Sequence, residues 1–340
     1  METLAVKYRP QTFDDVVEQN VVKRILENQI KSNGIRNGYL FSGPSGCGKT
    51  TNARLFAKDI NGKSGTITEL DAASHNGVDD IRKLIEDSKF KPIGCKYRVY
   101  IIDECHVLSS QAWQALLKTL EEPTPTSIFI LCTTDPQKIP PTIISRVQQF
   151  NFQKISYNGI VNRLKYIADS ENSENAGITY DEDALLYIAK LADGGMRTAI
   201  TFFEKVIGFS KAVNIESVVS ALGTVNYTTM FDLLDAVCKM NKVSVIQIIE
   251  ALNSNGVDLK QFIRDYSDFI LDMCKYNLFD DFSYIQIPST FSDRMNYSKD
   301  EYMFFTQLLD EMMKLTANIK WDSSPKALIE STFILLCTEA

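Results

Sequence analysis

No run of apolar residues in this 340-residue chain approaches the roughly 18–20 that a membrane-spanning helix requires. The opening METLAVKYRP lacks the basic-then-apolar pattern of a secretory signal. Both absences point to the cytoplasm, with no membrane partner. The seven cysteines (Cys47, Cys95, Cys105, Cys132, Cys238, Cys274 and Cys337) form no C-x-x-C pair. An odd, scattered count speaks against a disulfide framework and against a metal site built from them. It fits small apolar side chains in a reducing compartment. Positive charge is not in excess either. A net charge of −7 argues against nucleic-acid binding through bulk basic charge, while leaving room for a local phosphate-binding surface, particularly one assembled from several subunits. Internal repeats, low-complexity tracts and long disordered linkers are also missing.

What is present is a globular composition, 44% hydrophobic and 23% charged, over a length that implies two or three domains at about 100–200 residues each. Residues 1–155 read as α/β. The β-rich runs YLF, TITEL, RVYIID, SIFILCTT and QQFNF alternate with helical segments, the pattern of a parallel sheet with crossover helices. Strand signals then fade. YNGIVNRLKYIAD has helical spacing, ENSENAG reads as a polar loop, and Thr179 with Glu182 forms a capping box for DEDALLYIAKLAD. Gly194-Gly195 precedes another helix, MRTAITFFEKVIG, completing a small helical domain over 156–212. From 213 to 340 the chain is almost wholly helical: IESVVSALG, TTMFDLLDAVCKM, VSVIQIIEAL and LKQFIRDYSDFILDMCKY carry apolar residues at three- and four-residue spacing. After the irregular NLFDDFSYIQIPSTFSDRMN, Ser298 and Glu301 cap a helix to about Trp321, and PKALIESTFILLC makes a final packed one.

Gly43-Pro44-Ser45-Gly46-Cys47-Gly48-Lys49-Thr50 satisfies G-x-x-x-x-G-K-[ST], with Thr51 continuing the run. The glycines let backbone N–H groups turn around an anion, and the helix that follows adds its N-terminal dipole. Lys49 is placed for β- and γ-phosphates and Thr50 for Mg²⁺. A chance glycine-rich turn is the competing reading. It loses ground to RVYIIDECH, a buried strand ending in Asp103-Glu104. Asp103 can hold the Mg²⁺ shell and Glu104 can orient and deprotonate a water, which distinguishes hydrolysis from holding. Without the phosphate loop, such an acidic pair is often only a strand-end turn. Thr134, just past SIFILC, could position the water, although in isolation it is an ordinary strand-end threonine. Arg146 in TIISRVQQF and Arg197 in GGMRTAI would, taken singly, be solvated arginines.

KYRPQTFDDVVEQ, FSGPSGCGKT, ELDAAS, VYIIDECHVLS, ALLKTLEEP, TTDPQKIP, IISR and GGMRTAI, in this order over residues 5–205, resemble the AAA+ ATPases of the clamp-loader group, and within it the bacterial DNA polymerase III gamma/tau family. The resemblance implies a P-loop NTPase (AAA+) α/β domain with a parallel sheet, a small helical lid and an all-α collar bundle. It makes Lys49 and Thr50 the Walker A pair and Asp103 and Glu104 the Walker B pair. Thr134 becomes sensor 1, with Thr133 the fallback, and Arg197 becomes the sensor-2 arginine. Arg146 falls in the family's S-R-C motif, whose arginine enters the neighbouring subunit's site. Tyr8, Arg9, Pro10, Val16 and Val17 fall where the family cradles adenine. ATP and Mg²⁺ are the implied cofactors. The implied partners are a sliding clamp, primer–template DNA and other loader subunits in a homo- or hetero-oligomeric, pentameric ring.

Two departures stand out. The family's large bacterial subunit usually carries a four-cysteine zinc module after the P-loop helix. Here that region is only DINGKSGTITEL, so no zinc is expected. The cysteine of S-R-C is Val147, which leaves the arginine intact. The chain ends at the helical bundle without a tau-type extension, as would suit a compact bacterial or phage version. Three other readings compete. DECH fits a DExH helicase, but residues 214–340 offer no second RecA-like domain. An ATPase-inactive scaffold conflicts with the intact Lys49, Thr50, Asp103 and Glu104. A remodeller of Holliday junctions conflicts with TTDPQKIP and the collar-like bundle. Residues 74–76 are candidate DNA contacts at a helix N-terminus, and Phe90 is either a clamp contact or, the blander expectation, a half-buried aromatic.

Overall fold

The computed structural model describes residues 2–62, 67–75, 77–92, 94–223, 227–322 and 324–339. The chain divides into two compact units, Met1–Ile178 with Ile188–Ile207 and Thr179–Tyr187 with Gly208–Ala340.

The first unit is built on five parallel strands, β1 (Gly38–Ser42), β2 (Ile67–Asp71), β3 (Arg98–Asp103), β4 (Ser127–Thr133) and β5 (Gln148–Asn151), in the order β2-β3-β4-β1-β5. All five expected strands form. β1 and β4 are buried at every position, as apolar runs must be when helices cover both faces of a parallel sheet. Alternation sorts the side chains. Tyr39 and Phe41 face α2 (Asn20–Ser32) and α3 (Lys49–Asn61), where Phe56, Ile101, Ile130 and Phe150 complete the packing. Leu40, Tyr100, Phe129 and Leu131 face α4 (Val78–Ser88) and α5 (Ser110–Glu121), against Ile81, Leu84, Trp113 and Leu116. The short α6 (Pro141–Ile144) connects β4 to β5.

α7 (Tyr157–Ser173) begins where Ser156 Oγ accepts the Gly159 N–H, and it continues through the first half of ENSENAG, which was expected to be a loop. The next helix starts later than a cap at Thr179 implies. Thr179 lies in a two-residue strand, β6 (Thr179–Tyr180), paired with β7 (Ala212–Val213), so α8 (Glu182–Leu191) starts directly after Asp181. That short ladder had no signal in the sequence. α9 (Met196–Phe209) follows the glycine pair as expected. Phe90 is not half-buried: it is 66% exposed, just past the end of α4.

The second unit continues with α10 (Ile215–Leu222), α11 (Tyr227–Cys238), α12 (Lys242–Ser254), α13 (Leu259–Phe279), α14 (Lys299–Ile319) and α15 (Pro325–Glu339). Its centre is aromatic: Phe231 meets Phe269 edge-on at 4.9 Å, and Tyr266 packs on Phe269 and Phe333. The irregular stretch before α14 is fastened by side chains. Buried Asp272 accepts the Gln286 N–H (2.6 Å), and Arg294 bridges Asp232 and Asp235. No helix among the described residues is long and apolar enough to cross a membrane.

The capping box at Ser298 does form, with Glu301 N donating to Ser298 Oγ (3.3 Å) and Ser298 N donating to Glu301 Oε2 (2.7 Å). Ser298→Ala orphans one donor at the head of a 21-residue helix. It should cost about 1 kcal/mol, read as a lower urea midpoint for the helical unit with its slope unchanged.

Candidate active site

The loop leaving β1 owes its shape to three glycines. Gly43 has φ 149°, and a Cβ there would stand 2.4 Å from the Phe152 carbonyl oxygen. Gly46 (φ 72°) leaves only 3.0 Å between such a Cβ and Cα of Gly195, and Met196 N donates to Gly46 O (3.1 Å). Gly48 (φ 98°) turns the chain into α3, which begins at Lys49. Left-handed backbone at these positions is cheap only for glycine. Lys49 is 6% exposed, and its ammonium donates to the carbonyls of Gly43 and Pro44, both at 2.8 Å. Those partners are neutral, so its charge remains available to an anion arriving at the helix N-terminus.

The loop opens on a cavity of about 810 Å³ in the first unit. Ser45 through Thr51, Asp103, Glu104 and Arg197 line it, and so do Tyr8, Arg9, Pro10, Val16 and Val17. Gly43 and Pro44 contribute the backbone that holds Lys49 without lining the cavity. Charges of both signs line it, with Lys49, Arg54, Arg163 and Arg197 beside Asp15, Glu69, Asp103 and Glu104. Val16, Val17, Ile155, Met196 and Ile200 add apolar surface, and a flat base with a phosphate chain needs both kinds of wall.

At the cavity wall, Thr50 Oγ1 donates to Asp103 Oδ2 (2.7 Å), joining the head of α3 to the tip of β3. Glu104 follows with left-handed backbone (φ 47°), and its Oε2 accepts from Thr134 Oγ1 (3.0 Å) and lies 3.4 Å from His106 Nδ1. Thr133, by contrast, is fully buried and meets His106 Nδ1 (3.1 Å) and the Asp135 N–H (3.0 Å). The hydroxyl on Glu104 is thus that of Thr134. Paired hard oxygens beside a phosphate loop are the donors that Mg²⁺ takes, usually together with phosphate and water. Nearby thiols offer no alternative. Burial raises the pKa of Cys47, Cys105 and Cys132, so they stay protonated, and the thiolate is the ligand form. Among the described residues no group of three or more His, Cys, Asp or Glu could hold a metal; residues 63–66, within the segment where zinc was not expected, lie outside them.

Arg146 stands apart. It does not line the cavity, and its guanidinium bonds Glu121 (2.6 Å), the Thr142 carbonyl (2.7 Å) and Ser145 Oγ (3.0 Å) on the surface. Ser74 and His75 reach the cavity rim, while Asn76 lies outside the described residues. Ser74 is no helix cap: its hydroxyl donates to Asp71 Oδ2 (3.1 Å), and Gly77 stands at the head of α4.

Four contributors carry no motif role of their own in the sequence. Arg54 of α3 grips Glu69 of β2 through two bonds of 2.7 and 2.6 Å at the cavity wall. Gln19 is buried and donates to the Gln153 carbonyl (2.7 Å). His106 and Arg163 belong to no spacing rule. Gln19 and His106 did sit inside the quoted stretches VVEQ and DECH, which is the signal that could have found them.

Comparison with known proteins fits this geometry. A family model described as DNA polymerase III, delta subunit, matches residues 66–156, and one described as DNA polymerase III subunits gamma and tau domain III matches residues 213–299. DNA polymerase III subunit gamma of Buchnera aphidicola is 35% identical over 79% of this chain and 79% of its own. The chain belongs to the DNA polymerase III gamma/tau family. Subunit tau of Bacillus subtilis is 34% identical over 97% of this gamma/tau chain, which spans 62% of that relative's length; for gamma/tau of Mycoplasma genitalium the span is 54%. Among solved structures, the RuvB Holliday junction branch migration motor of Thermotoga maritima superposes with a TM-score of 0.53 at 20% identity, covering 74% of this chain and 86% of that one. That likeness is one of fold, and the fold is AAA+.

Gly43→Ala tests the loop. The added methyl cannot coexist with the Phe152 carbonyl in this backbone, so the gamma/tau chain should lose about 2 kcal/mol or more, measured as the urea midpoint of its α/β unit.

Proposed function

We propose that the chain is the ATP-hydrolysing subunit of a sliding-clamp loader, which opens the processivity clamp and places it on primer–template DNA during replication. The observation that carries the reading is that Thr50 meets Asp103 on the wall of the P-loop cavity and that Glu104 of the same wall accepts from Thr134, while Arg146 does not line the cavity. Family membership supports the assignment. In this reading residues 1–155 hold the nucleotide, 156–212 act as the lid and 213–340 form the collar of a pentameric assembly.

The residues divide the work as follows. Lys49 and the loop N–H groups bind the β- and γ-phosphates, and Arg197, at the head of α9, meets the γ-phosphate from the same subunit. Thr50 and Asp103 hold Mg²⁺, which when bound offsets phosphate charge. Glu104 takes a proton from the attacking water, and Thr134 fixes the rotamer of that carboxylate. Arg146 exchanges its surface partners for the γ-phosphate of the adjacent subunit, so cleavage waits on closure of neighbours. Hydrolysis then releases clamp and DNA. Phe90, exposed between Lys89 and Lys91, is a candidate contact with the clamp.

Glu104→Gln should bind ATP as the wild type does and lose about 100-fold or more in turnover, measured by phosphate release alongside nucleotide affinity. ATPase rates with and without primed DNA plus the cognate clamp test the loader itself. The wild-type rate should rise on adding both, and Arg146→Ala should lose about 10³-fold of the stimulated rate with its ATP affinity kept. A wild-type rate indifferent to DNA and clamp would contradict the loader assignment.

A further inference from the structure

The cavity is lined by two stretches of the N-terminal segment that are held by different supports. The Val16–Val17 stretch is fixed from the sheet side: Lys23 Nζ donates to the Val16 carbonyl (2.8 Å), and Gln19 anchors to Gln153 beyond β5. The Tyr8–Pro10 stretch follows α1 (Leu4–Lys7), a helix too short to hold itself, and its ties run to α7. Arg163 Nη2 donates to the Tyr8 carbonyl (2.7 Å), the Tyr8 hydroxyl donates to Glu171 Oε1 (2.7 Å), and Lys7 reaches Glu171 (2.9 Å) and Glu174 (2.8 Å). Burial and Glu171 push the Tyr8 hydroxyl up to about 12, so it remains a donor.

Arg163 is itself clamped. Its guanidinium carbon lies 4.9 Å from the centroid of the Tyr166 ring, and that ring meets Tyr8 edge-on at 6.2 Å. The guanidinium thus sits between an aromatic face and a main-chain carbonyl while lining the cavity together with Asp15, Val17, Ile155 and Ile200. A planar cation with N–H edges beside aliphatic side chains suits a flat heteroaromatic ring bearing acceptor nitrogens.

We propose that Arg163 is a positioning residue for base recognition: by fixing the Tyr8 carbonyl it sets the Tyr8–Pro10 wall against the purine ring of a nucleoside di- or triphosphate. The proposal rests on reading the cavity as the nucleotide site. Arg163 acts at the base end, so it contributes to affinity for the whole nucleotide, not to affinity for a bare phosphate chain and not to the cleavage step. The test is calorimetric titration of the full chain with ATP, ADP and inorganic tripolyphosphate, together with ATPase kinetics. Arg163→Ala should weaken ATP and ADP about 5- to 20-fold, leave tripolyphosphate within about twofold, and raise KM with kcat unchanged. Arg163→Gln, which keeps the stem and one donor for the Tyr8 carbonyl, should recover much of the loss; should the alanine variant not fold, Arg163→Gln alone is compared with wild type, with a loss of about 2- to 5-fold in ATP affinity expected. ATP affinity unchanged in the variants, or an equal loss for tripolyphosphate, overturns the proposal. A wild-type chain that binds tripolyphosphate but gains nothing from the base overturns it as well, whereas one that binds neither ligand brings down the nucleotide reading beneath it.

Discussion

The hydrogen bond from Thr50 to Asp103 is the contact on which the rest of the site depends. One partner opens the helix after β1 and the other closes β3, and β4 lies between those strands in the sheet. The two meet only because the strands run parallel and end on one edge, which in turn requires crossover helices on both faces. The fully apolar β1 and β4 are what that geometry demands of the sequence. The same edge delivers Glu104 and Thr134, and the left-handed turn at Glu104 aims its carboxylate across the end of β4. The positions of these oxygens are therefore a property of sheet topology first and of local side-chain packing second.

Much of this could be read from the chain. Strands announce themselves when each is a short apolar run bounded by turns, and a phosphate loop has fixed spacing because backbone geometry dictates where glycine must fall. What escaped was long-range or polar. Arg163 follows no spacing rule: its meaning comes from a carbonyl more than 150 positions away and from a ring one turn along its own helix. Thr179 carried a good local capping signal, yet its backbone found a ladder partner at Ala212, and a strand pair outcompetes a cap whose helix can start two residues later. Phe90 illustrates the opposite failure. An aromatic ring implies burial on average, but nothing in its neighbourhood in the sequence says whether a surface exists to cover it.

Arg146 gives the proposed loader its dependence on company. At the cavity, Lys49, Thr50, Asp103 and Glu104 already have partners within hydrogen-bond distance. Outside, one guanidinium rests on Glu121 in a half-exposed ion pair of the kind worth little in water. A polyphosphate presented by a neighbour would compete easily for it. In the proposed reading, the arrangement separates holding nucleotide within one chain from breaking it.

Where the phosphate loop meets α9, main chain touches main chain: Met196 N–H bonds the Gly46 carbonyl, and a Cβ at Gly46 would stand 3.0 Å from Cα of Gly195. Neither contact has a rotamer to rearrange. A methyl group at Gly46 would therefore wedge the loop away from the helix, because backbone on the far side cannot turn aside as a side chain does.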